Sequence, residues 1–120
     1  MPKIRTKKIY TIVDGAISRA KKKNLPCDSR KALIAEVTRQ MLKSRFRCPY
    51  TLMPYERNAM NGGSDYSASI DKIRPELGYV VSNIRVCSFT VNRVKNNKGY
   101  TFLKMLVTRM EEPDRDWETT

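Results

Sequence analysis

Apolar residues recur at helical spacing from Ile9 to Lys23, where Ile12, Val13, Ala16, Ile17 and Ala20 form one stripe. The run Lys21-Lys22-Lys23 falls at the end of that helix, where cations suit the dipole, and Asn24-Leu25-Pro26 breaks it. A second helix is predicted from Arg30 to Lys43, with Asp28 or Ser29 as its cap. Leu33, Val37 and Met41 make its stripe, with Ile34 and Leu42 beside it. Periodicity then stops. Pro49, Pro54 and Asn61-Gly62-Gly63 predict an irregular loop over residues 48–68. A short strand from Ser69 to Ile73, a turn at Pro75 to Gly78 and a β-branched strand from Ile84 to Cys87 follow. From Ser88 the spacing is helical again, through Phe89, Val91 and Val94, until Asn96-Asn97-Lys98-Gly99 ends it. A last helix runs from Tyr100 to about Met110 and carries Phe102, Leu103, Leu106, Val107 and Met110.

The expected fold class is therefore α+β: two N-terminal helices, an irregular loop, a hairpin followed by a helix, and a C-terminal helix. One domain over residues 1–110 accounts for the pattern. Residues 1–47 are a basic helical lead-in, 48–97 the loop and hairpin-helix unit, 98–110 the last helix, and 111–120 an acidic tail. The 120 residues suffice for one modest core. No internal repeat is visible.

Charge narrows the function classes. The chain's net charge is +12, yet its last ten residues carry five acids against Arg115, a net of −4, so residues 1–110 hold +16. A charge that large suits a polyanion, because each phosphate contact releases condensed counterions. DNA is the expected partner. No apolar run reaches the ~20 residues of a membrane span, so no membrane partner is expected. The start, MPKIRTKKIYTIVDG, has no long apolar core after its charges, which points to the cytoplasm rather than secretion. Cys27, Cys48 and Cys87 include no Cys-x-x-Cys, and with no histidine in the chain they do not make a zinc site. Cys48 and Cys87 are read as small buried apolar residues.

The stretch SIDKIRPELGYVVSNIRVCSFTVNRVKNN is a short ββα unit. It puts Asp71 near the end of the first strand and Asn92 on the helix that the hairpin folds against. A carboxylate and an amide oxygen are hard ligands suited to Mg²⁺ or Mn²⁺, which keeps water and phosphate oxygens in its remaining positions. Lys95, three residues after Asn92, shares its helix face and can reach a phosphate. The amide of Asn83 can bridge the loop and hold the hairpin closed.

These residues resemble those of the HNH endonucleases, the ββα-metal superfamily, and in particular its small bacteriophage-type members. In that family the first strand ends in Asp-His, the loop often holds Gly-Tyr, an Asn begins the second strand, and a His or Asn on the helix precedes a Lys. Here those positions read Asp71-Lys72, Gly78-Tyr79, Asn83, Asn92 and Lys95. Upstream, ISRAKKKNLPCD and CPYT look like the phage group's lead-in, where Cys-Pro-x-Thr-Gly is common; Leu52 stands in place of that Gly. The resemblance spans about Ala16 to Asn97. It implies a Mg²⁺-dependent DNA endonuclease or nickase. Asp71 and Asn92 would hold the metal. Asn83 would support the catalytic Asp71-Lys72 pair structurally. Lys72, Arg74, Arg93 and Lys95, with Lys21, Lys22 and Lys23, would meet nucleic acid. A single such site nicks one strand, so a double-strand cut would need a homodimer or two events.

The departure is Lys72, where the family has a histidine that deprotonates water. An unperturbed lysine, with a pKa of about 10.4, is almost wholly protonated at neutral pH. Three answers stand open. Lys72 acts as base with a depressed pKa; another group serves, Tyr66, Tyr79 or a metal-activated water; or catalysis is lost and Lys72 adds charge to a binding surface. Two other functions follow from these alternatives: a DNA-binding regulator on an inactive nuclease scaffold, and a module acting on a host protein.

Overall fold

In the computed structural model, which describes residues 6–56, 66–95 and 100–112, the elements follow the expected order. The Asn61-Gly62-Gly63 turn, the Asn96 to Gly99 break and the acidic tail beyond Glu112 lie outside those residues. Helix α1 spans Thr6–Lys23, α2 Arg30–Lys43, α3 Phe89–Lys95 and α4 Tyr100–Met110. Strands β1 (Ala68–Lys72) and β2 (Ile84–Ser88) pair antiparallel, with Ile70 opposite Val86 and Asp71 opposite Arg85. The result is an α+β fold with helices at both ends. Among the described residues no helix is long and apolar enough to cross a membrane.

Helix α1 buries Ile9, Val13, Ala16 and Ala20, and α2 buries Leu33, Val37 and Met41, so both stripes meet in one core. Ile70, Ile84 and Val86 of the hairpin complete it. Leu42, beside the α2 stripe, is exposed. Cys48 and Cys87 are fully buried in the same cluster, and burial pushes the Cys87 thiol up to about 12. Cys27 is exposed. The hairpin lies between the α1–α2 pair and α3, which packs on the face carrying Ser69 and Asp71. Helix α4 leaves Met105, Leu106, Val107 and Met110 exposed.

Local chemistry sets the boundaries. Asn24 takes a left-handed φ of 55°, and Leu25 N–H closes onto the Ala20 carbonyl at 2.9 Å, ending α1 as an asparagine C-cap does. Ser29 caps α2: its Oγ accepts from Ala32 N–H at 3.2 Å. The other candidate, Asp28, instead accepts from Val81 N–H at 2.8 Å and so ties the α1–α2 connection to the hairpin loop. Tyr79 reinforces that tie. Its N–H donates to the Pro26 carbonyl, and its carbonyl accepts from Asp28 N–H, both at 2.9 Å.

After α2 the chain turns tightly. Arg45, Phe46 and Leu52 all have left-handed φ values, 56°, 60° and 63°. Leu52, which stands where the resembling sequences have glycine, thus adopts the conformation that favours glycine. The turn is closed by Leu52 N–H to the Cys48 carbonyl at 2.8 Å and Cys48 N–H to the Met53 carbonyl at 2.9 Å. Beside β2, the Gln40 carboxamide donates to the Ile84 carbonyl at 3.0 Å and accepts from Val86 N–H at 2.8 Å.

Candidate active site

Antiparallel pairing and the immediate start of α3 after β2 bring residues 22 to 24 positions apart into contact. Asn92 and Lys95 share one face of α3. Asn92 Nδ2 donates to Ser69 Oγ at 2.8 Å and to the Ile70 carbonyl at 3.2 Å. Among the described residues nothing donates to Asn92 Oδ1. Lys95 Nζ contacts both Asp71 oxygens, at 3.1 and 2.9 Å, and donates to the Lys72 carbonyl at 3.0 Å. Asp71 is 4% exposed and Lys95 8%. Burial pushes the Asp71 carboxyl up, while the Lys95 ammonium, then Lys72 and Arg85, pull it back; burial prevails.

Above this pair opens a cleft of about 270 Å³ on the β1 side of the hairpin. Asp71, Lys72 and Asn92 line it, and Arg19, Lys23 and Arg93 bring further cations to its walls. Tyr79 organises one wall. Its hydroxyl accepts from Arg19 Nε at 3.1 Å, while Arg19 Cζ and Lys72 Nζ lie 5.6 and 5.3 Å from the ring centroid. Asp71 is the one carboxylate among the described lining residues, and Lys95 already offsets its charge. The cleft thus presents a positive surface with a buried carboxylate and an amide at its floor.

The expected residues divide accordingly. Asp71, Lys72, Asn92, Arg93 and Lys23 line the cleft. Lys21, Lys22 and Arg74 are exposed but do not line it, and Arg74 Nε pairs with Glu76 at 3.1 Å. Lys95, expected to reach a phosphate, lies beneath the floor with its ammonium engaged by Asp71 and the Lys72 carbonyl. Tyr66 is not among the lining residues, whereas Tyr79 is. Arg19 was not anticipated. Its signal was available: it stands one turn before Lys23 on the same face of α1.

Asn83 holds the loop between the strands. Its Oδ1 accepts from Arg74 N–H at 3.0 Å, and its Nδ2 donates to the Arg74 and Gly78 carbonyls at 2.9 and 2.8 Å. The side chain is 3% exposed, so these groups have no water to turn to. Asn83→Ala is expected to lower the unfolding free energy by about 2–4 kcal/mol, read from urea melts. A change below about 0.5 kcal/mol would mean that the loop closes without it.

The chain matches no protein-family model, and no curated protein or solved structure matches it.

Asp71 and Asn92 carry the hard oxygen donors that a small divalent cation takes, although both Asp71 oxygens touch the Lys95 ammonium. Asn92 Oδ1 is left over once Nδ2 is anchored, and Asp71 lies in the same cleft. Among the described residues no three acidic, cysteine or histidine side chains cluster to hold a metal ion. A divalent ion here would therefore rely on these two residues, water and substrate oxygens, the style of Mg²⁺ rather than of an all-protein cage.

Proposed function

We propose that this protein is a Mg²⁺-dependent DNA endonuclease, or nickase, that hydrolyses phosphodiester bonds at the β1-side cleft. The observation that carries the reading is the meeting of Asp71 and Asn92, distant in sequence, in one cleft walled by Arg19, Lys23, Lys72 and Arg93. The +16 of residues 1–110 supports a polyanionic substrate.

Asp71 and Asn92 would hold Mg²⁺ or Mn²⁺, which when bound supplies Lewis-acid stabilisation of charge on the phosphate. Lys95 fixes the Asp71 carboxylate, and Ser69 fixes the Asn92 carboxamide through its nitrogen, with no donor to its oxygen among the described residues. Lys72 and Arg19, both held against Tyr79, meet the phosphate and offset its charge. Asn83 keeps the hairpin loop shut behind them. Lys72, at the place of the family's histidine, acts here by charge.

Plasmid nicking with Mg²⁺ or Mn²⁺ tests this. Wild type nicks, EDTA stops it, and Asp71→Ala reduces it by about a hundredfold or more. Lys72→Arg retains nicking if the lysine acts by charge and loses it if the lysine is the base, because arginine stays protonated.

The bond from Lys95 to both Asp71 oxygens favours a second reading, in which DNA is bound at the same cleft without being cut. A cation must share Asp71 with that ammonium or displace it. This reading predicts binding that ignores EDTA and Asp71→Ala, with no nicking by any variant.

A further inference from the structure

A second cleft, of about 590 Å³, opens on the other side of the hairpin, between α2 and β2. It too is cationic. Arg39, Lys43, Arg47 and Arg85 line it, and its one carboxylate among the described residues, Glu36, is bonded to Arg39 at 2.7 and 2.8 Å. Among the described residues, Lys43, Arg47 and Arg85 have no carboxylate of this cleft paired with them.

Leu52, 69% exposed, lines the cleft, and the same turn after α2 presents Tyr50 and Met53, 50% and 46% exposed. They are not loosely held. The Cys48–Leu52 and Cys48–Met53 backbone bonds close the turn, and Arg47 Nη1 donates to the Leu52 carbonyl at 3.1 Å. The Tyr50 ring is fixed as well. Arg85 Nη1 donates to its hydroxyl at 3.1 Å, with the guanidinium carbon 5.9 Å from the ring centroid.

In duplex DNA the base faces are stacked on one another, so an exposed ring beside cations finds no base face to stack on unless the duplex is opened. Unpaired nucleotides use both: phosphates follow the cations, and a base face stacks on an aromatic ring. We propose that the α2–β2 groove holds an unpaired DNA strand, with phosphates along Lys43, Arg47 and Arg85 and a base stacked on Tyr50. The proposal rests on the reading of the β1-side cleft as a DNA site, and extends its substrate to DNA with a single-stranded segment next to the duplex.

The test is fluorescence anisotropy with the full chain in EDTA, on a blunt duplex and on the same duplex with an oligothymidine tail. Wild type is expected to bind the tailed duplex about tenfold more tightly. Tyr50→Ala and, separately, the exposed-site change Lys43→Glu each erase most of that preference, leave blunt-duplex binding within about twofold, and keep the wild-type circular dichroism spectrum. Tyr50→Phe keeps the preference, because the ring remains. Equal binding of the two probes by wild type overturns the proposal. So does a preference that survives both variants, or competition by polyglutamate as strong as by oligothymidine of equal charge. Plasmid nicking separates the two readings. Tail preference without nicking leaves the groove standing and removes the endonuclease, whereas nicking without tail preference does the reverse.

Discussion

Lys95→Met is expected to lower the unfolding free energy by about 3–5 kcal/mol at neutral pH, because it leaves a buried carboxylate without its counter-charge. Both Asp71 oxygens touch the Lys95 ammonium and the carboxylate is 4% exposed, so water cannot replace what is lost. The cost depends on pH. The folded-state pKa of Asp71 already stands above its ordinary value through burial, and removing Lys95 takes away the strongest influence that lowers it. The folded variant then binds a proton more readily than the unfolded chain does, so its stability rises as pH falls through the raised pKa. Urea melts across the acid range should show the deficit shrinking. Pairing the change with Asp71→Leu should recover most of the loss, since replacing both partners leaves no buried charge. A Lys95→Met protein within about 1 kcal/mol of wild type at neutral pH would mean that the pair is open to water. If the metal reading holds, millimolar Mg²⁺ should raise the melting temperature of Lys95→Met more than that of wild type, because Asp71 is then free to bind it.

Gly78→Ala should cost more than about 3 kcal/mol. Gly78 has φ 72° and ψ −159°, a region reached almost only by glycine. A methyl group there would also run into the Pro26 carbonyl, which is backbone and holds Tyr79 N–H at 2.9 Å. Relieving that clash means separating the α1–α2 connection from the hairpin loop, and with it the ring on which Arg19 and Lys72 rest. If the cleft binds DNA as proposed, loss of stability and loss of DNA affinity should therefore appear together. Gly15→Ala is the contrast. Gly15 lies inside α1, and a methyl there would meet only Arg19 Nη1, 3.3 Å away, so a side-chain end and not backbone has to give by a few tenths of an ångström. That change should alter stability by no more than about 1 kcal/mol, since the helix gain from alanine is set against a small shift of Arg19 on Tyr79. Equal effects of the two substitutions would mean that the loop conformation does not need glycine.

Much of this fold was legible in local pattern. The bounds of α2 and α4 follow from their stripes and from the serine and glycine around them, and β1 begins only one residue earlier than its alternation suggested. Helix α1 starts earlier as well, at Thr6, since nothing in Thr6-Lys7-Lys8 opposes a helix. The closeness of Asp71 and Asn92 and the bridging role of Asn83 follow from strand, turn, strand and helix in succession, where topology leaves little choice. Long-range partners were not legible. That Lys95 turns inward to Asp71 and not outward depends on how closely α3 packs against β1. Arg19 meets Tyr79 across 60 residues, and Asp28 meets Val81 across 53. Such pairs leave no periodic trace, because any exposed arginine or aspartate would read the same.

The Gln40 carboxamide beside β2 has one more consequence. A two-stranded sheet has two open edges, and an open edge is a template on which a strand from another molecule can dock. Gln40 offers Ile84 and Val86 the donor and acceptor that a third strand's peptide group would offer. It acts as a third strand one residue long, supplied by a helix and unable to propagate. The β2 edge is thereby closed to intermolecular pairing at these two residues, which removes one route to aggregation by a means that does not depend on charge repulsion between copies.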